Sequence, residues 1–109
     1  MGMLRSVNGI HAERLLKEKD GKYRVFLFGA TWCGACQETT IQLGIASKQF
    51  DEVGFHKIDI DKNEELTDKY IDDAVPLTVI IKNGRKIKAV EGYDDADEWI
   101  KWIEGVVGG

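Results

Sequence analysis

Short apolar runs alternate with helical spacings along the chain, and this alternation predicts strands that are separated by helices. The unbroken apolar run at residues 25–28 lies inside a predicted strand, residues 23–28, and is typical of a central strand covered on both faces. Two further strands are predicted at residues 53–60 and 77–81. A weaker pattern at residues 3–6 predicts a short edge strand.

Helical spacing of apolar residues predicts the connecting elements. The first helix begins near residue 8, a long second helix covers residues 33–49, and a short third helix covers residues 63–70. Because a carboxylate is a preferred N-cap, we expect Asp61 to cap the short helix and Asp94 to cap the last helix of the chain.

The order of these elements predicts one mixed sheet. Residues 23–60 are expected to form a strand, a long helix and a second strand, which is a βαβ unit with parallel strands. Asn83-Gly84 predicts a tight hairpin between residues 77–81 and 86–90. We therefore expect a single α/β domain, residues 1–109, with the order βαβαββα and helices on both faces of a central mixed sheet.

Composition and charge argue against several classes of function. A net charge of −4 gives no reason to expect nucleic acid or an anionic membrane as a partner. No apolar stretch approaches the roughly 20 residues of a transmembrane helix, and residues 1–18 lack the apolar core of a signal peptide. We therefore expect a cytoplasmic protein, and nothing in the sequence demands more than a monomer.

The candidate chemistry is concentrated in the only two cysteines, Cys33 and Cys36. Cys33 stands at the predicted strand-to-helix junction, where free backbone N–H groups and the helix dipole favour a thiolate. Cys36 lies about one helical turn further on the same side, where it can attack a mixed disulfide formed by Cys33. Gly34 and Ala35 leave the approach to Cys33 open. The pattern predicts dithiol–disulfide exchange.

Two other interpretations of the cysteine pair stay open at this point. A Cys-x-x-Cys can be half of a structural zinc site, but the remaining candidate ligands, His11 and His56, are isolated and far apart in the sequence. The cysteines can also be inert core residues, because free Cys is often buried. The flanking Trp32 and the junction position favour a reactive pair over both alternatives.

The segment Trp32-Cys33-Gly34-Ala35-Cys36 after an apolar strand resembles the active site of the thioredoxin family. Further segments fall at the spacings of that family, so that the resemblance covers nearly the whole chain: Lys57-Ile58-Asp59-Ile60-Asp61, Val75-Pro76, Lys82-Asn83-Gly84 and Gly92. The resemblance implies the thioredoxin fold and a protein-disulfide reductase without a bound cofactor. It also implies disulfide-containing protein substrates and a recycling partner similar to thioredoxin reductase.

The resemblance further implies roles for residues around the pair. Cys33 is expected to be the nucleophile, Cys36 the resolving thiol and Pro76 the cis-proline of the family. A flat surface is expected to receive the disulfide of the partner, and it comprises Trp32, Gly34, Ala35, Val75, Pro76 and Gly92. Without the cysteine pair, an ordinary trans proline at the head of a strand is the favoured interpretation of Pro76.

The chain departs from the family pattern at two positions near the pair. Ala35 stands where proline is usual, and because Ala favours helix we expect the helix to form with a different redox potential. Leu27 stands where thioredoxins carry a buried Asp that is thought to move a proton for the second cysteine. Lys57, the usual partner of that Asp, is present, and we include it among the catalytic candidates. Asp59 is a candidate substitute, although a solvated strand-end residue is its simpler interpretation.

Two other functions remain possible from the sequence. Glutaredoxins also carry Val-Pro, but they typically have Pro-Tyr between the cysteines and Thr before the Val, whereas Ala74 precedes Val75 here. The second is a redox-sensing binding module in which the pair only switches an interaction. The missing buried Asp gives this second possibility some weight.

Overall fold

We describe the computed structural model of the chain over residues 4–71 and 74–108. In chain order its elements are β1 (Leu4–Ser6), α1 (Gly9–Lys17), β2 (Tyr23–Gly29), α2 (Gly34–Ser47), β3 (Gly54–Asp59), α3 (Glu64–Asp68), β4 (Leu77–Lys82), β5 (Arg85–Val90) and α4 (Ala96–Val107). From β2 onward this is the predicted order βαβαββα, and β1 and α1 precede it. Met3, where the predicted edge strand begins, lies outside the described residues.

The strands form one mixed sheet, which within the described residues has the order β1-β3-β2-β4-β5. β2 pairs parallel with β3 and antiparallel with β4, and β4 pairs antiparallel with β5. The predicted βαβ unit and the predicted hairpin are therefore confirmed. At the hairpin Asn83 and Gly84 have φ values of 53° and 76°, and positive φ at both central residues is what a type I′ turn requires.

β2 is the central strand, and its side chains alternate between two hydrophobic cores. Phe26 and Phe28 pack on the face covered by α1, whereas Val25 and Leu27 pack on the face covered by α2 and α4. All four of these side chains are fully buried. This arrangement confirms the prediction of a central strand covered on both faces, and it places the end of β2 between the two helical layers.

Two of the predicted helix caps are wrong. The residue at the N-cap position of α3 is Asn63 rather than Asp61, because the helix begins one residue after Asn63. Asp95 rather than Asp94 caps α4, and its carboxylate accepts a hydrogen bond of 2.9 Å from the backbone N–H of Glu98. A capping carboxylate must directly precede the first helical residue to reach these amides, and the sequence pattern placed both caps too early.

Candidate active site

Cys33 is the N-cap residue of α2, at the turn where the chain leaves β2. Its Sγ accepts a hydrogen bond of 3.1 Å from the backbone N–H of Cys36, and its side chain is partly exposed. The first N–H groups of a helix have no intrahelical acceptor, and the sulfur of Cys33 serves as the acceptor for one of them. The predicted position of Cys33 at the strand–helix junction is confirmed.

Cys36 lies in the first turn of α2 and is only 1% exposed. Burial, followed by the hydrogen bond with Cys33, raises the pKa of the Cys36 thiol to about 11. The backbone N–H of Ala30 and the positive charge of Lys57 act in the opposite direction. Both cysteines are free thiols, so the site holds one accessible sulfur and one buried, protonated sulfur.

Gly29, the last residue of β2, lies against the buried sulfur. A Cβ atom on Gly29 would be 3.2 Å from Cβ of Cys36 and 3.3 Å from its Sγ, which is closer than most real contacts of this kind. Glycine therefore allows α2 to pack its first turn directly onto the end of the strand. Sequence reasoning missed this role, for which the signal was a glycine that ends an apolar run.

Trp32 is the exposed aromatic residue beside Cys33, and its side chain is 68% exposed. Its indole Nε1 donates a hydrogen bond of 2.8 Å to Oδ2 of Asp61. Asp61 is itself held by its backbone N–H, which donates 2.9 Å to Oδ1 of Asp59. The loop after β3 therefore orients the ring of Trp32, and this is the role that Asp61 has in place of the predicted cap.

Val75 and Pro76 immediately precede β4, and the peptide bond between them is cis. Leu77, the next residue, pairs with Phe28, so Pro76 lies at the end of the sheet where β2 passes into the cysteine turn. Gly92 approaches α2 at the same end, because a Cβ on Gly92 would be 3.9 Å from Oγ1 of Thr39. The sheet topology therefore brings the Val75-Pro76 bond before β4 and Gly92 after β5 towards the cysteine pair.

Leu27 is fully buried on the α2 face of the sheet. In the sheet register it lies between Lys57 on β3 and Thr78 on β4. Asp59 follows two residues after Lys57, and its Oδ1 accepts the hydrogen bond from Asp61, as expected for the strand-end interpretation. The roles assigned to Lys57 and Asp59 from the resemblance stay predictions.

The described residues contain no group of three or more His, Cys, Asp or Glu side chains that could hold a metal ion. His56 packs on the ring of Phe26, with ring centroids 5.2 Å apart, on the sheet face opposite α2.

None of the helices over residues 4–71 and 74–108 combines the length and apolar character needed to cross a membrane.

Comparisons with known proteins agree with this geometry. The family model for Thioredoxin matches residues 7–105. Thioredoxin-1 of Drosophila melanogaster is 34% identical over 97 residues, which cover 87% of this chain and 88% of the fly protein. The H-type thioredoxin of Fagopyrum esculentum is 36% identical over 81 residues, which cover 73% of this chain and 70% of the plant protein.

Solved structures show the same similarity. The reduced thioredoxin pre-protein of Schistosoma mansoni superposes with a TM-score of 0.81 at 32% identity, covering 95% of this chain and 98% of that chain. Thioredoxin of Malassezia sympodialis superposes with a TM-score of 0.84 at 28% identity, covering 97% of this chain and 92% of that chain. The mixed sheet flanked by helices is therefore the thioredoxin fold, as predicted. The chain belongs to the thioredoxin family, whose members are protein-disulfide reductases, and it is a thiol–disulfide oxidoreductase.

Proposed function

We propose that Cys33 is the nucleophile and Cys36 the resolving thiol of a reductase that acts on protein disulfides. The Cys33 thiolate attacks one sulfur of the partner's disulfide and forms a mixed disulfide, and the partner's other sulfur leaves as a thiolate. Cys36 then loses its proton and attacks Cys33. The partner is released with two reduced sulfurs, and Cys33 and Cys36 are left joined by a disulfide bond.

The observation that carries this assignment is the asymmetry of the two thiols. The sulfur of Cys33 is partly exposed and accepts a backbone N–H, whereas Cys36 is buried and burial raises its pKa to about 11. Because a thiolate is the attacking species, the exposed sulfur is suited to the first step. The buried sulfur is protected until a mixed disulfide forms beside it.

We assign substrate docking to the surface around Cys33. Trp32 contributes a large exposed ring, and the first turn of α2 contributes Gly34 and Ala35, which are both exposed. Val75 and Pro76 are partly exposed at the same end of the sheet. An extended substrate segment can form strand-like hydrogen bonds with the backbone of Val75. Gly92 completes this surface without a side chain that would block it.

We further propose an electron donor, an oligomeric state and a compartment for this activity. A flavoprotein reductase of the thioredoxin-reductase type recycles the Cys33–Cys36 disulfide, so that the protein transports electrons between that donor and its substrates. The protein acts as a monomer without a cofactor. It works in the cytoplasm, where reducing conditions make a lone cysteine pair more often catalytic than structural.

Insulin reduction tests the activity. We expect turnover by the wild type with dithiothreitol as donor, no turnover by Cys33→Ser, and trapping of a mixed disulfide by Cys36→Ser. At neutral pH iodoacetamide should label Cys33 faster than Cys36, and the opposite order would reverse the roles. Absence of turnover in the wild type would favour the redox-sensing module.

A donor comparison separates this proposal from a glutaredoxin-like activity. The oxidised protein should be reduced by a flavoprotein reductase with NADPH and poorly by glutathione. A preference for glutathione would contradict the assignment.

The proposed role of Asp59 as a substitute proton acceptor needs its own test. Asp59→Asn removes the charge and retains the size of the side chain. A pH–rate profile of insulin reduction that is unchanged in this variant would exclude Asp59 from proton transfer.

A further inference from the structure

Two large hydrophobic side chains are more exposed than any other within the described residues. Ile10, in the first turn of α1, is 78% exposed, and Trp32, beside Cys33, is 68% exposed. An exposed apolar side chain gives up the stabilisation that its burial would provide. Because single exposed side chains are ordinary on protein surfaces, the meaning of Ile10 depends on what lies between it and Trp32.

The start of α1 lies at the same end of the molecule as the cysteine turn. β1, which precedes α1, runs parallel to β3, and β3 runs parallel to β2, so the three strands end at one edge of the sheet. The backbone N–H of Gly9 donates a hydrogen bond of 2.7 Å to Oδ1 of Asn63, in the loop after β3. The same loop contains Asp61, whose carboxylate accepts the indole N–H of Trp32. One loop therefore connects the start of α1 to the surface around Cys33.

A groove of about 490 Å³ lies between the start of α1 and this loop. Gly9 and Glu13 contribute to one wall, and Asp61 contributes to the other. Gly9 directly precedes Ile10, and Asp61 holds the ring of Trp32, so an exposed apolar side chain lies next to each wall. The groove is therefore continuous with the proposed docking surface.

The groove carries a negative charge. Four carboxylates line it, whereas the ammonium group of Lys62 is its one cationic side chain within the described part of the chain. Glu13 is paired with Lys17 at 2.7 Å, but Glu64 and Glu65 form no salt bridge with any described residue. Carboxylates of this kind attract the cationic groups of a partner and accelerate encounter.

We propose that this groove binds the extended segment of a substrate protein that lies next to its reactive disulfide. The disulfide meets Cys33, Lys or Arg side chains of the segment face Glu64 and Glu65, and an apolar side chain packs on Ile10. The favoured substrates are thus disulfide proteins with a basic, partly apolar segment beside the bridge. This inference rests on the proposed function, because it concerns substrates of the same cysteine pair.

The charge of the chain favours a substrate segment over two other occupants. A second copy of this chain carries a net charge of −4, which opposes its contact with a negative groove. A nucleic acid is repelled for the same reason, since its phosphates are anionic. A basic segment is the partner whose charge complements the groove.

Disulfide-bridged peptides of equal length test this specificity. Three peptides share one bridge and are flanked at both ends by Lys and Leu, by Glu and Leu, or by Lys and Ser. The fully reduced protein is mixed with each peptide, the reaction is stopped with acid, and chromatography of the peptide dithiol gives a second-order rate constant. Each rate constant is divided by the one for dithiothreitol, which corrects for the intrinsic reactivity of the bridge.

The wild type should distinguish the three peptides. The Lys–Leu peptide should react roughly tenfold faster than the Glu–Leu peptide, because the groove attracts one and repels the other. It should react roughly fivefold faster than the Lys–Ser peptide, because only Leu can pack on Ile10. The first ratio should shrink at about 0.5 M salt, which screens exposed charges.

Ile10→Ser isolates the apolar contact. It should reduce the advantage of the Lys–Leu peptide over the Lys–Ser peptide to about twofold or less. Ile87→Ser is the matched control, since Ile87 is also exposed but lies on β5, outside the groove. The control should retain the wild-type ratio.

A double variant, Glu64→Gln with Glu65→Gln, isolates the charge of the groove. It should reduce the preference for Lys over Glu from roughly tenfold to about threefold, because the other carboxylates of the groove remain. The combination of Glu52→Gln with Glu104→Gln removes the same net charge from exposed positions outside the groove. This control should retain the wild-type preference.

The outcomes separate this inference from the proposed function. Equal normalised rates for the three peptides in the wild type would overturn the inference. So would an unchanged specificity in Ile10→Ser or in the Glu64 and Glu65 double variant, with circular dichroism showing that each is folded. A wild-type dimer in sedimentation velocity that Ile10→Ser abolishes would assign the groove to a second copy and overturn it as well. Failure of the wild type to reduce any of the peptides would instead contradict the proposed function.

Discussion

Asn63 ties two distant parts of the molecule together, and its removal provides a quantitative test of the structure. Asn63 is only 6% exposed. Oδ1 accepts a hydrogen bond of 2.7 Å from the N–H of Gly9 at the start of α1. Nδ2 donates 3.1 Å to Oδ1 of Asn8 and 2.8 Å to the carbonyl oxygen of Asp59. One amide therefore joins the start of α1 to the loop after β3.

The expected cost of Asn63→Ala follows from these three hydrogen bonds. Each intramolecular hydrogen bond contributes about 1 kcal/mol net, so the variant should lose about 3 kcal/mol of the free energy of unfolding. For a domain of about 100 residues this corresponds to a fall in Tm of roughly 12–24 °C. The loss is a large fraction of the roughly 5–15 kcal/mol that holds a typical domain folded.

Urea denaturation followed by far-UV circular dichroism measures this loss. Asn8→Ala is the matched control, because it removes one hydrogen bond at an exposed residue and should cost about 1 kcal/mol or less. A loss below about 1 kcal/mol for Asn63→Ala would refute the reasoning. An equal loss in both variants would refute it as well, since the additional bonds of Asn63 would then contribute nothing.

Three further predictions concern the site and the pH dependence of stability. Gly29→Ala places a methyl group 3.3 Å from Sγ of Cys36, so it should lower the free energy of unfolding by about 1–3 kcal/mol and slow insulin reduction. Wild-type values in both the urea denaturation and the insulin assay would contradict the close packing. Asp61→Ala removes the 2.8 Å hydrogen bond from the indole of Trp32, so it should alter the Trp32 fluorescence and lower stability by about 1 kcal/mol or less. The fluorescence is measured in a variant whose other tryptophans are replaced by Phe, and an unchanged spectrum would contradict the contact. Burial, followed by the positive charges around it, lowers the pKa of His56 to about 4 from its usual 6.5, so the unfolded chain binds more protons between these values and stability should fall as pH falls from about 6.5 to 4. His56→Gln should flatten urea-derived stability over that range, and an unchanged slope would contradict the assignment.

Much of the fold follows from patterns that are local in the sequence. The apolar run of β2, the Asn83-Gly84 turn and the strand–helix–strand spacing all predicted elements and pairings that the structure contains. These signals succeed because side-chain periodicity and turn chemistry act over a few residues. The predicted helix caps at Asp61 and Asp94 were wrong, since several polar residues precede each helix and the sequence pattern does not determine which of them directly precedes its first residue.

In the candidate site, too, the local features could be predicted from the sequence and the long-range contacts could not. Cys33 and Cys36 are three residues apart, so their arrangement on a helix start could be derived from the sequence alone. The contact of Gly29 with the buried sulfur and the bond between Trp32 and Asp61 could not. Each of these joins residues whose distance depends on how α2 and the loop after β3 pack against the end of β2.

The amino-acid sequence by itself determined where the reactive pair stands, because the end of an apolar strand and the start of a helix are encoded within some ten consecutive residues. Only the tertiary structure decided that the two thiols differ in burial. Cys36 is buried because the end of β2 packs against it. The pairing of β3 with β2 brings the positive charge of Lys57 close enough to lower the pKa of Cys36. Burial and electrostatic fields depend on atoms brought together from distant segments, and so they become defined only when the sheet and its helices have assembled.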